Sequence, residues 1–138
     1  GRIKKMSYFD HEKLDVYRVS LEFVLIADGI IEHLPKGKAY LADQLKRAGS
    51  SISLNIAEGA GEFSGNEKAR FYRMAKRSAT ECASILDICR CLKVVEESHY
   101  LKGRELLIRI GSMLIKMTIM IQKSGHGHAH GHVNKSSI

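Results

Sequence analysis

Apolar residues recur along this chain at helical spacing in four stretches. Over about residues 13–33, Leu14, Tyr17, Leu21, Val24 and Ile31 follow one another at intervals of three, four and seven. Pro35 and Gly37 close that segment. Over about 38–61, Leu41, Leu45, Ala48, Ile52 and Ile56 form a second stripe, with Gly59 and Gly61 weakening its end. A third helix is predicted from Ser64 to about Val95. Ser64-Gly65-Asn66-Glu67 reads as a capping box at its start, and Phe71, Tyr72, Ala75, Ala79, Cys82, Leu86 and Cys89 form its core stripe. A fourth is predicted from near Ser98 to about Lys123, with Gly125 as its stop. Links of a few residues make consecutive helices antiparallel neighbours. The pattern therefore predicts an all-α, antiparallel up-down-up-down four-helix bundle over 8–123.

Two segments carry more apolar surface than one core needs. Met113, Leu114, Ile115, Met117, Ile119, Met120 and Ile121 spread around nearly the whole fourth helix, and Phe23, Val24, Leu25, Ile26 and Ala27 are consecutive in the first. A helix on the surface of a monomer shows one apolar stripe. The excess predicts a homo-oligomer, the alternative being a monomer with a greasy surface.

Composition adds limits. The chain has 138 residues, room for one domain with its own core. One Pro and no Trp argue against a sandwich or barrel of many short strands. Apolar residues at 44% and charged residues at 27% are a globular balance. Three cysteines, Cys82, Cys89 and Cys91, are an odd number on a helical pattern, which suggests a reducing, cytoplasmic setting. No signal peptide is visible, and the run Leu106–Ile121 is too short and too charged to span a membrane. Residues 1–7 read as a leader, and 124–138 as a flexible His-rich tail.

The net charge of +7 favours an anionic partner, nucleic acid before membrane. Lys102, Arg109, Lys116 and Lys123 are spaced seven apart, close to two turns, so they line one face of the fourth helix. Glu105 is the sole acid between 98 and 123. Arg70, Arg73, Lys76 and Arg77 form a second basic group, and Lys46 and Arg47 lie on the second helix. A stripe about 30 Å long can follow a phosphate backbone. The alternative is a solvated face that keeps the protein soluble. Few aromatics accompany the cations, which argues against stacking of single strands.

Other chemistry is thinner. Ser51, Asn55 and Glu58 interleave with core positions Ile52 and Ile56. They read as a buried polar network, with Glu81 of the third helix as companion, rather than as a catalytic carboxylate site. A di-metal bundle needs Glu-x-x-His on two helices, and only Glu96–His99 has that form. Cys82 and Cys89 fit small core residues better than zinc ligands. His126, His128, His130 and His132 alternate with small residues and are weak candidates for transition metals. No phosphate loop or nucleophile elbow is present, so no enzyme and no cofactor are expected.

Several motifs together resemble a known family. They are Leu41-x-x-Gln44-Leu45-Lys46-Arg47-Ala48, Ser51-Ile52-x-x-Asn55-Ile56-Ala57-Glu58-Gly59-x-Gly61 and Phe71-Tyr72-x-x-Ala75-x-x-Ser78-x-x-Glu81. Phe9-x-x-x-Lys13-Leu14-x-Val16-Tyr17 and Leu34-Pro35 add to them. Over about 8–123 the chain resembles the four-helix bundle proteins encoded in 23S ribosomal RNA intervening sequences. The resemblance implies an antiparallel bundle assembling as a pentameric ring. It also implies kinship with the accessory variability protein of diversity-generating retroelements, a basic pentamer that works with a reverse transcriptase. Glu62 departs from the basic residue that members often carry after Gly-x-Gly. The expectation is a non-catalytic oligomeric scaffold that binds RNA or DNA through its basic surface, with no small-molecule substrate and no membrane. The alternative is a module that docks an acidic protein such as a nucleic-acid enzyme.

Overall fold

The computed structural model describes residues 9–129, with side chains as far as Gly125. The expected leader at 1–7 and residues 130–138 of the expected tail lie outside the described residues. Among the described residues there are four α-helices and no strands: α1 (Asp15–Glu32), α2 (Ala39–Ala60), α3 (Gly65–Cys91) and α4 (Glu97–Ala129). A single 3-10 turn, Asp10–Lys13, leads into α1.

Each boundary has a local cause. Asp15 lies in the first turn of α1, where its charge suits the helix N-terminus. Pro35 cannot continue that helix, and its carbonyl accepts from the Lys38 N–H at 2.9 Å to turn the chain into α2. Ser64 caps α3: its Oγ accepts from the Glu67 N–H at 3.2 Å. The predicted box is half formed, because the Glu67 carboxylate turns forward to Arg70 instead of back to Ser64. Helix α3 ends at Cys91, short of Val95. Lys93 adopts φ 60°, while the N–H groups of Lys93 and Val94 reach back to the Arg90 and Cys89 carbonyls. These paired bonds form a Schellman stop, with lysine where glycine is usual. Gly125 does not stop α4, which continues to Ala129. A glycine weakens a helix interior by about 1 kcal/mol but keeps its N–H, so it need not end the ladder.

Side-chain contacts set the topology. Ser20 of α1 meets Ser53 of α2, and Phe23 meets Gly49. Ser51 of α2 meets Ser78 of α3, and Gly59 meets Tyr72. Asp87 of α3 meets Tyr100 of α4, and Gly65 meets Ile121. In each pair one number rises as the other falls, so each helix runs antiparallel to the next. Helix α4 returns beside α1, with Gly103 against Phe23 and Ile26. The up-down-up-down bundle is therefore observed.

Its core is made of Phe23, Ile30, Leu41, Leu45, Ile52, Ile56, Leu86, Leu106, Ile110 and Leu114, all fully buried. The α2 stripe is as expected, and so is the α3 stripe apart from half-buried Phe71. The α1 stripe is not. Val16, Val19, Ser20, Phe23, Ala27 and Ile30 face inward. The expected line of Leu14, Tyr17, Leu21, Val24 and Ile31 lies about 100° around the helix. Leu14, Tyr17 and Ile31 pack on the rim of the core, and Leu21 is exposed. Both lines are apolar at helical spacing, and the positions of α2 and α4 decide between them.

Candidate nucleic-acid interface

The four cations of α4 come to the surface together. Lys102, Arg109, Lys116 and Lys123 are all exposed. The inward face of α4 is set by Leu106, Ile110 and Leu114, and the cations lie on the outer side of the helix. Lys102 has a loose ion pair with Glu105, 3.6 Å away. Arg109, Lys116 and Lys123 have no ion pair among the described residues.

The basic residues of α3 divide into two sets. Arg73 and Lys76 flank the groove between α3 and α4, beside Arg104, Ile108, Ile115 and Ile119. Arg70 and Arg77 lie outside that groove lining and are exposed. Arg70 is held by the Glu67 carboxylate at 2.9 Å and lies over the Phe71 ring, 4.5 Å from its centre. That hydrogen bond keeps the Glu67 carboxyl below its ordinary range and raises Arg70. Lys46 and Arg47 are exposed on α2 and, as neighbours, point about 100° apart. Neither groove lining includes Lys102, Arg109 or Lys116. The basic residues thus form separate surfaces, an α4 stripe and an α3/α4 groove.

The buried polar network differs from the expected one. The Asn55 amide donates to the Ser51 carbonyl at 2.9 Å and to Ser51 Oγ at 3.0 Å, and Ser78 Oγ donates to Ser51 Oγ at 3.0 Å. Ser51 and Asn55 therefore join α2 to α3 through Ser78. Glu58 and Glu81 are not part of this network, and both are exposed. Glu58 borders a shallow depression of about 380 Å³ with Phe9, His11 and Glu62. A carboxylate loses its hydration on burial, so without a cation or donors beside it the outward position is the stable one. The fully enclosed pair is Ser20 with Ser53, 2.8 Å apart.

Sequence reasoning also passed over two cations. Lys68 Nζ donates to the Ala60 and Gly59 carbonyls at 2.9 and 3.3 Å, so it caps the C-terminus of α2. Arg104 lines the α3/α4 groove. The signal for that groove was present in the sequence. Leu101, Ile108 and Ile115 precede Lys102, Arg109 and Lys116 by one residue each, so an apolar line runs beside the cationic one. All three are exposed, Ile108 to 57%.

Cys82 and Cys89 are buried free thiols, and Cys91 is an exposed one. Among the described residues no three His, Cys, Asp or Glu gather to hold a metal. The side chains of His126 and His128, and all of His130 and His132, lie outside the described residues. Among the described residues, no helix is long and apolar enough to cross a membrane.

Similarity to known proteins agrees with this architecture. No curated protein is similar enough to count as a relative. Among solved structures, the chain is similar to a protein with unknown function from the S23 ribosomal protein family of Bacteroides thetaiotaomicron. The TM-score is 0.69 at 22% identity, covering 75% of this chain and 97% of that one. That likeness carries the fold. The family model described as 23S rRNA-intervening sequence protein matches residues 12–116, through all of α1 to α3 and most of α4, and the chain belongs to that family.

Proposed function

We propose that the protein is a non-catalytic, homo-oligomeric helical scaffold that binds nucleic acid, structured RNA first, along the outer face of α4. The observation that carries this reading is the row Arg109, Lys116 and Lys123, exposed and free of acidic partners among the described residues. Repeating every seven residues, these cations stand about 10 Å apart, a step of about three phosphates of one strand along a duplex axis. Lys102 and Arg70 extend the field but are less available, being held by Glu105 and Glu67, and Arg77 adds an exposed cation on α3. The exposed apolar side chains of α1 and α4 support self-assembly, since a monomer leaves them in water. The free thiols support a reducing, cytoplasmic setting. No cofactor enters this role.

Fluorescence anisotropy with a labelled hairpin RNA and a matched DNA duplex, across a salt series, tests the binding. The expected result is a log-linear loss of affinity with salt and tighter binding of the RNA. The Arg109→Glu/Lys116→Glu/Lys123→Glu variant should lose binding at every salt concentration. Unchanged binding by that variant overturns the surface. The second reading, docking of an acidic protein, is favoured by Ile108 and Ile115 beside the cations, because phosphates have no use for them. A partner that stays bound in nuclease-treated lysate would support it.

A further inference from the structure

The groove between α3 and α4 combines an apolar floor with a cationic rim. Ile108, Ile115 and Ile119 are exposed along it, and Arg73, Lys76 and Arg104 border it. It holds two shallow depressions, of about 140 and 150 Å³. None of the three cations has an ion pair among the described residues.

Helix α1 carries the complement. Leu21, Leu25, Asp28 and Glu32 are spaced four, three and four, so they form one outward line, and Glu22 stands beside it. Leu25 is 74% exposed. Glu22, Asp28 and Glu32 are exposed and have no ion pair among the described residues. Arg18, the cation on this side of α1, is held by Asp15. An apolar pair edged with three acids thus matches an apolar floor edged with three bases.

We propose that the outward face of α1 in one copy of this chain docks into the α3/α4 groove of the next. This rests on the assembly half of the proposed function and names the surfaces that perform it. The lengths agree. From Leu21 to Glu32 the helix rises about 16 Å, and from Arg104 to Ile119 about 22 Å. Leu25 and Leu21 cover the isoleucine floor, while Glu22, Asp28 and Glu32 face Arg73, Lys76 and Arg104. The apolar area supplies affinity, and the charges select partner and register. The two halves lie on different sides of one bundle and cannot meet within a copy. The contact is head-to-tail, and such a contact repeats until the rotation closes a ring. It leaves the row Arg109, Lys116 and Lys123 uncovered for an anionic ligand.

The test is light scattering after gel filtration of the full chain, with circular dichroism to check folding. The wild type should be an oligomer of defined mass. Glu22→Lys/Asp28→Lys/Glu32→Lys and Arg73→Glu/Lys76→Glu/Arg104→Glu should each weaken self-association by about a hundredfold, because like charges then face one another. A chain carrying all six changes restores opposite charges and should recover the wild-type mass. Leu25→Asp should weaken assembly by itself. Wild-type mass in both triple variants overturns this docking and leaves assembly by another face. A folded six-fold variant that stays monomeric overturns the charge pairing. A wild type that is monomeric at every concentration overturns the assembly reading and the docking with it.

Discussion

The ring of Tyr72 lies against the backbone of Gly59, so close that a Cβ on residue 59 would stand 2.8 Å from Tyr72 Cε1 and 3.0 Å from Phe71 Cβ. Helices α2 and α3 approach here closely enough to leave room for hydrogen alone. This gives a physical role to the glycine of the Asn55-Ile56-Ala57-Glu58-Gly59 motif. Gly59→Ala should destabilise the protein by about 1–3 kcal/mol through overpacking, although alanine is the better helix former. At Gly29 a Cβ meets nothing within 4 Å. Gly29→Ala should therefore stabilise by about 0.5–1 kcal/mol. Urea denaturation of both variants checks the contrast, and equal effects would contradict it.

The hydroxyl pair between α1 and α2 has a direction. Ser20 Oγ donates its one proton to the Tyr17 carbonyl at 2.6 Å, so Ser53 is the donor in the 2.8 Å bond between the serines. Ser53→Ala removes a donor and leaves Ser20 satisfied, at a cost of about 1 kcal/mol. Ser20→Ala leaves a buried hydroxyl without its acceptor and should cost more, about 1–3 kcal/mol. The double variant should cost less than the sum. A double-mutant cycle by chemical denaturation reads all three.

Lys93 holds a left-handed backbone at the end of α3, with φ 60°. Glycine adopts that conformation without the clash at Cβ. Lys93→Gly should stabilise by about 0.5–1 kcal/mol, and Lys93→Val should destabilise by about 1 kcal/mol or more. Thermal melts of the two variants should move in opposite directions.

Burial pushes the Cys82 thiol from 9.0 up to about 12, with the Glu81 charge adding to it. Below pH 9 the thiol is protonated in both folded and unfolded chains. Between pH 9 and 12 the unfolded chain releases a proton that the folded chain keeps, so stability falls as pH rises. The slope is up to about 1.4 kcal/mol per pH unit. Cys89 is raised by burial too and acts in the same direction. Denaturant midpoints should be flat to about pH 8.5 and decline above it, and Cys82→Ala should make the decline shallower. In the native protein a thiol reagent should modify Cys91 alone, the other two reacting only after unfolding.

Much of the bundle is written in local patterns. Pro35 ends α1 because its ring blocks further helix, and Ser64 starts α3 because its hydroxyl meets a free N–H. On α2 the stripe from Leu41 to Ile56 is the one continuous apolar line, with Leu54 alone on the outer side of that span, so its inward face follows from spacing. The α4 cations repeat every seven residues, and their shared outer face follows in the same way. Periodicity reports neighbours along one helix. It cannot choose between two apolar lines on the same helix, because that choice depends on the helices packed against it. On α1 the choice fell on Phe23 and Ile30, and it left Leu21 and Leu25 outside. The same limit explains Glu58 and Glu81, which spacing placed near the core and packing turned to solvent. It also explains Arg73 and Lys76. Their distance from Arg104 along the chain carries no information, and only the antiparallel closure of α3 on α4 brings them to one groove.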